Sequence, residues 1–295
     1  MSTVPPAATP ARAHPAPPLV PELPEGVEPT PVGPGWKAWM AFAALVAGFA
    51  AAILAAVVLG LFSSIFGSSL SDPPPSVNII ATVLQGGCLI LAAYLFARVA
   101  GHSKPWDFGL RPTRFLPAVG WSALTWLSFL LVTVAWTALI GAQEAQDQLP
   151  EELGVNDSNV ALVAAAVLIC VIAPIAEEFF FRGFFFTALR SWKGIWPAAI
   201  ATGIVFGAIH AGSSDPAFLL PLGFFGFALC LLYVKTGSLY PCIAVHSLNN
   251  SLAFGVALKW DWQIVPVAIA ALVIITGLLA IVRAAGGRPP ALPAT

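Results

Sequence analysis

An all-α, polytopic membrane protein of about eight transmembrane helices around an intramembrane polar cavity is the fold class that three observations predict. The 295 residues are 58% hydrophobic and only 9% charged, where soluble domains carry roughly a quarter charged residues. Apolar runs long enough to cross a bilayer recur along the chain, and a span needs about 20 residues at 1.5 Å each. Lys and Arg collect on alternate connections, the pattern that orients membrane helices.

The runs read as helices over 39–62, 77–97, 116–139, 160–190, 195–211, 218–234, 239–258 and 262–282. Trp36, Trp39, Trp106, Trp192, Trp196, Tyr240, Trp260 and Trp262 fall near their ends, as an interfacial aromatic belt requires. The first run is too long for a signal-peptide core and has only Lys37 directly before it. It is therefore expected to stay as a membrane helix. Ahead of it, residues 1–35 hold eleven prolines and little that could form a core, so a disordered cytoplasmic tail with polyproline character is expected. A transmembrane domain over 36–285, with its motif-bearing core at 160–258, and a short disordered tail over 286–295 complete the organisation.

If eight helices alternate, Arg12, Lys37, Arg98, Lys104, Arg111, Arg114, Arg190, Lys193, Lys235, Arg283 and Arg288 share one side, and Lys259 sits opposite. The connection between helices three and four is acidic: Glu144, Asp147, Glu151, Glu152 and Asp157. By the positive-inside rule both termini are cytoplasmic. Ala- and Pro-heavy, Lys-poor usage hints at a GC-rich bacterial genome, hence a bacterial plasma membrane. Residues 103–116 are too polar to span and read as an interfacial segment, with His102 and Asp107 as surface groups. A net charge of −1 and no basic patch argue against a nucleic-acid partner. Cys88, Cys170, Cys230 and Cys242 lie in apolar runs without CxxC spacing, as small buried hydrophobes do.

Ionisable groups inside a span cost about 2.5–3.5 kcal/mol each on insertion scales and point to function. Here they are few: Glu177, Glu178 and Arg182 in helix four, His210 in helix five, and His246 with Asn249 and Asn250 in helix seven. Glu178 and Arg182 stand four apart and share a face, so Arg182 occupies Glu178. Glu177 lies about 100° around the helix and is left free as a base. His246 and Asn250 also share a face, whereas Asn249 points off it. Phe206, one turn before His210, can wall its ring. Glu177 and His210 are equidistant from the 191–194 turn, so both belong at one height on antiparallel neighbours. Helix four is longer than the hydrocarbon core and must tilt, protrude, or kink near Pro174.

A carboxylate, two imidazoles and a carboxamide suit amide hydrolysis. Glu177 can deprotonate water, His210 can orient it, and His246 with the Asn250 amide can donate to the oxyanion. Ser247 adjoins His246 but points away along the helix. No HExxH helix is present, so the usual zincin arrangement is excluded. The chemistry requires no cofactor, although a zinc ion on Glu177, His210 and His246 is compatible with it. Competing readings are a buried ion network that only fixes packing, and an ion or proton path. A transporter would show internal repeat symmetry between the halves, which the sequence lacks.

Three motifs in order, EExxxR at 177–182, FxxxH at 206–210 and HxxxN at 246–250, resemble the CAAX-processing and bacteriocin-processing protease family, CPBP or Abi. That family includes the type II CAAX prenyl endopeptidases. The resemblance covers residues 160–258. It implies an eight-helix fold and an intramembrane endopeptidase acting on a membrane-associated peptide or protein within the lipid bilayer. It also implies water activation at Glu177 and His210 and an oxyanion hole at His246 and Asn250, with Glu178, Arg182 and Phe206 in support. Family members are catalogued as metalloproteases, and metal dependence stays open. A catalytically silent scaffold or bacteriocin-immunity protein on the same fold is the alternative.

Overall fold

A computed structural model describes residues 34–70, 73–145 and 147–286. Most of the two terminal tails lies outside the described residues. The chain is a polytopic membrane protein, and among the described residues it is helical with no strand. Eight long helices run in order: α1 Ala38–Ile65, α2 Pro75–Val99, α3 Phe115–Ile140, α4 Asn159–Lys193, α5 Ile195–Ile209, α6 Leu219–Thr236, α7 Leu239–Ala257 and α8 Ile264–Gly286. A one-turn helix, Leu149–Glu152, interrupts the α3–α4 connection.

Local chemistry sets the boundaries. Pro75 opens α2, where a missing N–H costs nothing. The Ser158 hydroxyl caps α4 by accepting from the Ala161 N–H at 3.1 Å. Gly141 and Gly237 close α3 and α6 in the left-handed region, at φ 70° and 63°, which costs glycine little.

Among the described residues six helices are long and apolar enough to cross a membrane. The two that are not are α5 and α7, and they are the helices that carry His210 and His246. With 15 residues, α5 reaches only about 22 Å against a hydrocarbon core of about 30 Å. In α7, the run His246, Ser247, Asn249, Asn250 and Ser251 lowers the hydropathy. Polar helices are tolerated at membrane depth only where protein surrounds them; α7 is largely buried among its neighbours, whereas α5 keeps one apolar face exposed at Trp196, Ile200 and Ile204.

The axis of the bundle is α4, which packs against α1, α2, α5, α6, α7 and α8, while α3 leans on α6 and α7. Its second half buries Phe180, Phe181, Phe184, Phe185 and Phe186 completely. Around Pro174 the helix carries two π-helical stretches, Leu168–Ile172 and Phe179–Phe186, flanking the six-residue α-helical piece Ala173–Glu178. Such π turns concentrate at functional sites.

The 103–116 segment folds against the α6–α7 turn. Arg111 Nε donates to the Gly237 carbonyl at 2.6 Å, the Ser238 hydroxyl donates to the Arg111 carbonyl, and the Leu239 N–H donates to the Gly109 carbonyl at 2.9 Å. A cavity of about 1370 Å³ opens between α3, α7 and α8. Trp126, Val245, Leu248 and Leu279 line it, and Glu177, His210 and His246 do not.

Candidate active site

The short α-helical piece of α4 ends on Glu177 and Glu178, and the following π turns carry Arg182. Arg182 Nη1 donates to Glu178 Oε1 at 2.7 Å, and both side chains are fully buried. The second guanidinium arm, Nη2, donates to the Gly226 carbonyl at 3.1 Å. Glu178 Oε1 also lies 2.7 Å from His246 Nδ1. A carboxylate held by a guanidinium is an acceptor, so His246 Nδ1 carries the hydrogen and Nε2 faces away toward Glu177.

His210 ends α5. Its Nδ1 is 2.7 Å from the Phe206 carbonyl, which can only accept, so this imidazole too presents Nε2 outward. Both Nε2 atoms lie 3.9 Å from the same oxygen, Glu177 Oε2. That oxygen has no protein hydrogen-bond partner. A separation of 3.9 Å is too long for a hydrogen bond and fits one water bridging each pair at about 2.8 Å per side. The Glu177 and His210 side chains keep 21% and 19% of their surface exposed, whereas Glu177 Oε2 itself and His246 are buried.

Phe206 holds this arrangement together. Its ring centroid is 4.8 Å from that of His210 and 5.8 Å from that of His246, and Arg182 Cζ sits 4.5 Å over its face. Phe225 closes the other side of His246 edge-on at 5.6 Å. Glycine is required opposite: a Cβ on Gly226 would come within 2.8 Å of Phe206 Cβ, and the same residue supplies the carbonyl for Arg182.

The structure thus brings Glu177, Glu178, Arg182, Phe206, His210 and His246 into one cluster. Asn250 is one turn further along α7, and its Nδ2 donates to the Ile169 carbonyl at 2.9 Å, which leaves a second amide hydrogen. Ser247 donates from Oγ to the Cys170 carbonyl at 2.6 Å, so its hydroxyl is turned to α4. Cys170, Cys230 and Cys242 are buried free thiols, as small apolar side chains would be. Sequence reasoning left out Gly226, whose carbonyl role carries no sequence signal, and Asp147. Asp147 accepts from the Asp215 N–H at 3.1 Å, joining the loop after α3 to the loop after His210. Burial pushes its carboxyl above 3.8, opposed by that amide, by Ser214 and by the nearby His210.

Glu177, His210 and His246 are a donor set that catalytic zinc uses. Their placement does not make a zinc cage. The 3.9 Å separations exceed the roughly 3.4 Å edge of a tetrahedron with zinc-length bonds. Among the described residues no three His, Cys, Asp or Glu side chains form a metal-holding group.

Residues 159–252 match the family described as Type II CAAX prenyl endopeptidase Rce1-like. "Putative membrane peptidase YdiL" of Bacillus subtilis is 31% identical over 81 residues, 28% of this chain and 32% of that protein. "Uncharacterized protein YyaK" of the same organism is 28% identical over 141 residues, 44% of this chain and 47% of that protein. The chain therefore spans about a third and about half the length of these two relatives. No solved structure matches it. The matched stretch runs from the start of α4 into α7 and contains every residue of the polar cluster.

Proposed function

We propose that the protein is an intramembrane endopeptidase that hydrolyses a peptide bond of a membrane-associated peptide or protein with water activated by Glu177 and His210. The observation that carries this reading is the convergence of two imidazole Nε2 atoms, each 3.9 Å from one unpartnered carboxylate oxygen of Glu177. A water between them loses its proton to Glu177 as its oxygen attacks the carbonyl carbon, and His210 orients it. His246 Nε2 and the free amide hydrogen of Asn250 donate to the developing oxyanion. Collapse of the tetrahedral intermediate breaks the C–N bond, and Glu177 returns the proton to the leaving amine. Glu178, held by Arg182, keeps His246 aimed at the site.

We place both termini in the cytoplasm of a bacterial cell, because Arg98, Arg190, Lys193, Lys235 and Arg283 all occupy last turns at one end of the alternating helices. Purified protein in detergent is expected to cleave members of a membrane-peptide library, and to do so unchanged after chelator treatment. Absence of cleavage would favour a silent scaffold. Cleavage lost to chelator and restored by zinc would replace the metal-free mechanism.

A further inference from the structure

We propose that Ser247 is a positioning residue: with Asn250 it serves the two α4 carbonyls to which the N–H that Pro174 lacks would have bonded, and so fixes His246 against Glu178 and Glu177. Its effect on catalysis rests on the endopeptidase reading, whereas the pairing itself does not.

The argument starts from hydrogen-bond register. In the first π-helical stretch the Ala173 N–H reaches five residues back to the Leu168 carbonyl. The next residue is Pro174, which has no N–H. Continued five-back bonding would have used that N–H for the Ile169 carbonyl, and a return to four-back bonding would have used it for the Cys170 carbonyl. Those two carbonyls are the ones that α7 serves, Ile169 through Asn250 Nδ2 at 2.9 Å and Cys170 through Ser247 Oγ at 2.6 Å. Inside a membrane an unserved backbone carbonyl is costly, so the pair is a staple with a reason to exist.

The staple sets geometry because of what adjoins it. Ser247 is fully buried and follows His246, whose Nδ1 is 2.7 Å from Glu178 on α4. Glu177 and Glu178 lie three and four residues past Pro174. One short stretch of α4 and one turn of α7 are thus fastened at three points, and the position of His246 Nε2 follows from all three. Asn250 takes part with one amide hydrogen and keeps the other for substrate.

The test is a double-mutant cycle with Pro174→Ala, which gives α4 back an N–H. Ser247→Ala is expected to lower kcat about tenfold or more with KM little changed, and to lower the melting temperature by roughly a few degrees. Ser247→Thr, which keeps the hydroxyl, is expected to retain more of both. In the Pro174→Ala background the Ser247→Ala losses shrink. If the restored N–H serves Ile169 instead, the melting loss of Asn250→Leu is the one that shrinks. Full additivity in both cycles would overturn the proposal. The melting cycles need no activity, so they remain decisive if the protein cleaves nothing.

Discussion

Glu177→Gln is expected to lower kcat by about 10²–10⁴-fold, the usual contribution of a positioned base, with KM and melting temperature close to wild type. The substitution keeps shape and removes only the charge that takes the proton. Nothing in the protein hydrogen-bonds Glu177 Oε2, so its loss releases no partner and the fold should not notice. Steady-state kinetics on a cleaved library peptide, beside a thermal melt in the same detergent, separates these effects. A variant that melts much lower would assign Glu177 to packing, the reading in which the carboxylates and Arg182 merely fix helices.

Glu178→Ala is expected to do the opposite and damage the fold. Glu178 and Arg182 are both fully buried, and removing one partner of such a pair costs about 3–5 kcal/mol because the other charge is stranded. Arg182 would keep the Gly226 carbonyl and the face of Phe206 but no countercharge, and His246 would lose the acceptor on Nδ1. The melting temperature should fall on the order of 10 °C. Glu178→Ala combined with Arg182→Met removes both charges and should recover much of that loss, while activity stays low because His246 remains unaimed. Equal melting of the single and double variants would contradict a paired burial.

Helix positions were legible because bilayer thickness forces long apolar runs and Gly, Ser and Pro punctuate them; the second run, 77–97, corresponds to α2 at Pro75–Val99. The equal distance of Glu177 and His210 from the 191–194 turn reflected their common level, because antiparallel neighbours joined by a tight turn must match heights. The π-helical stretches of α4 were not legible, since one extra residue in a turn leaves no periodic trace in an all-apolar run. For the same reason Ser247 read as turned away from the chemistry: its importance lies in a carbonyl that Pro174 leaves open, and backbone acceptors have no letter in a sequence. Gly226 escaped likewise, because contact with Phe206 and a carbonyl aimed at Arg182 are both tertiary facts.

The most direct measurement is cleavage of a library peptide in H₂¹⁸O. The account predicts one ¹⁸O in the new C-terminal carboxylate under single-turnover conditions, no covalent acyl-enzyme, and loss of product with Glu177→Gln. Wild-type product formation by Glu177→Gln, or a trapped acyl group on the protein, would contradict it.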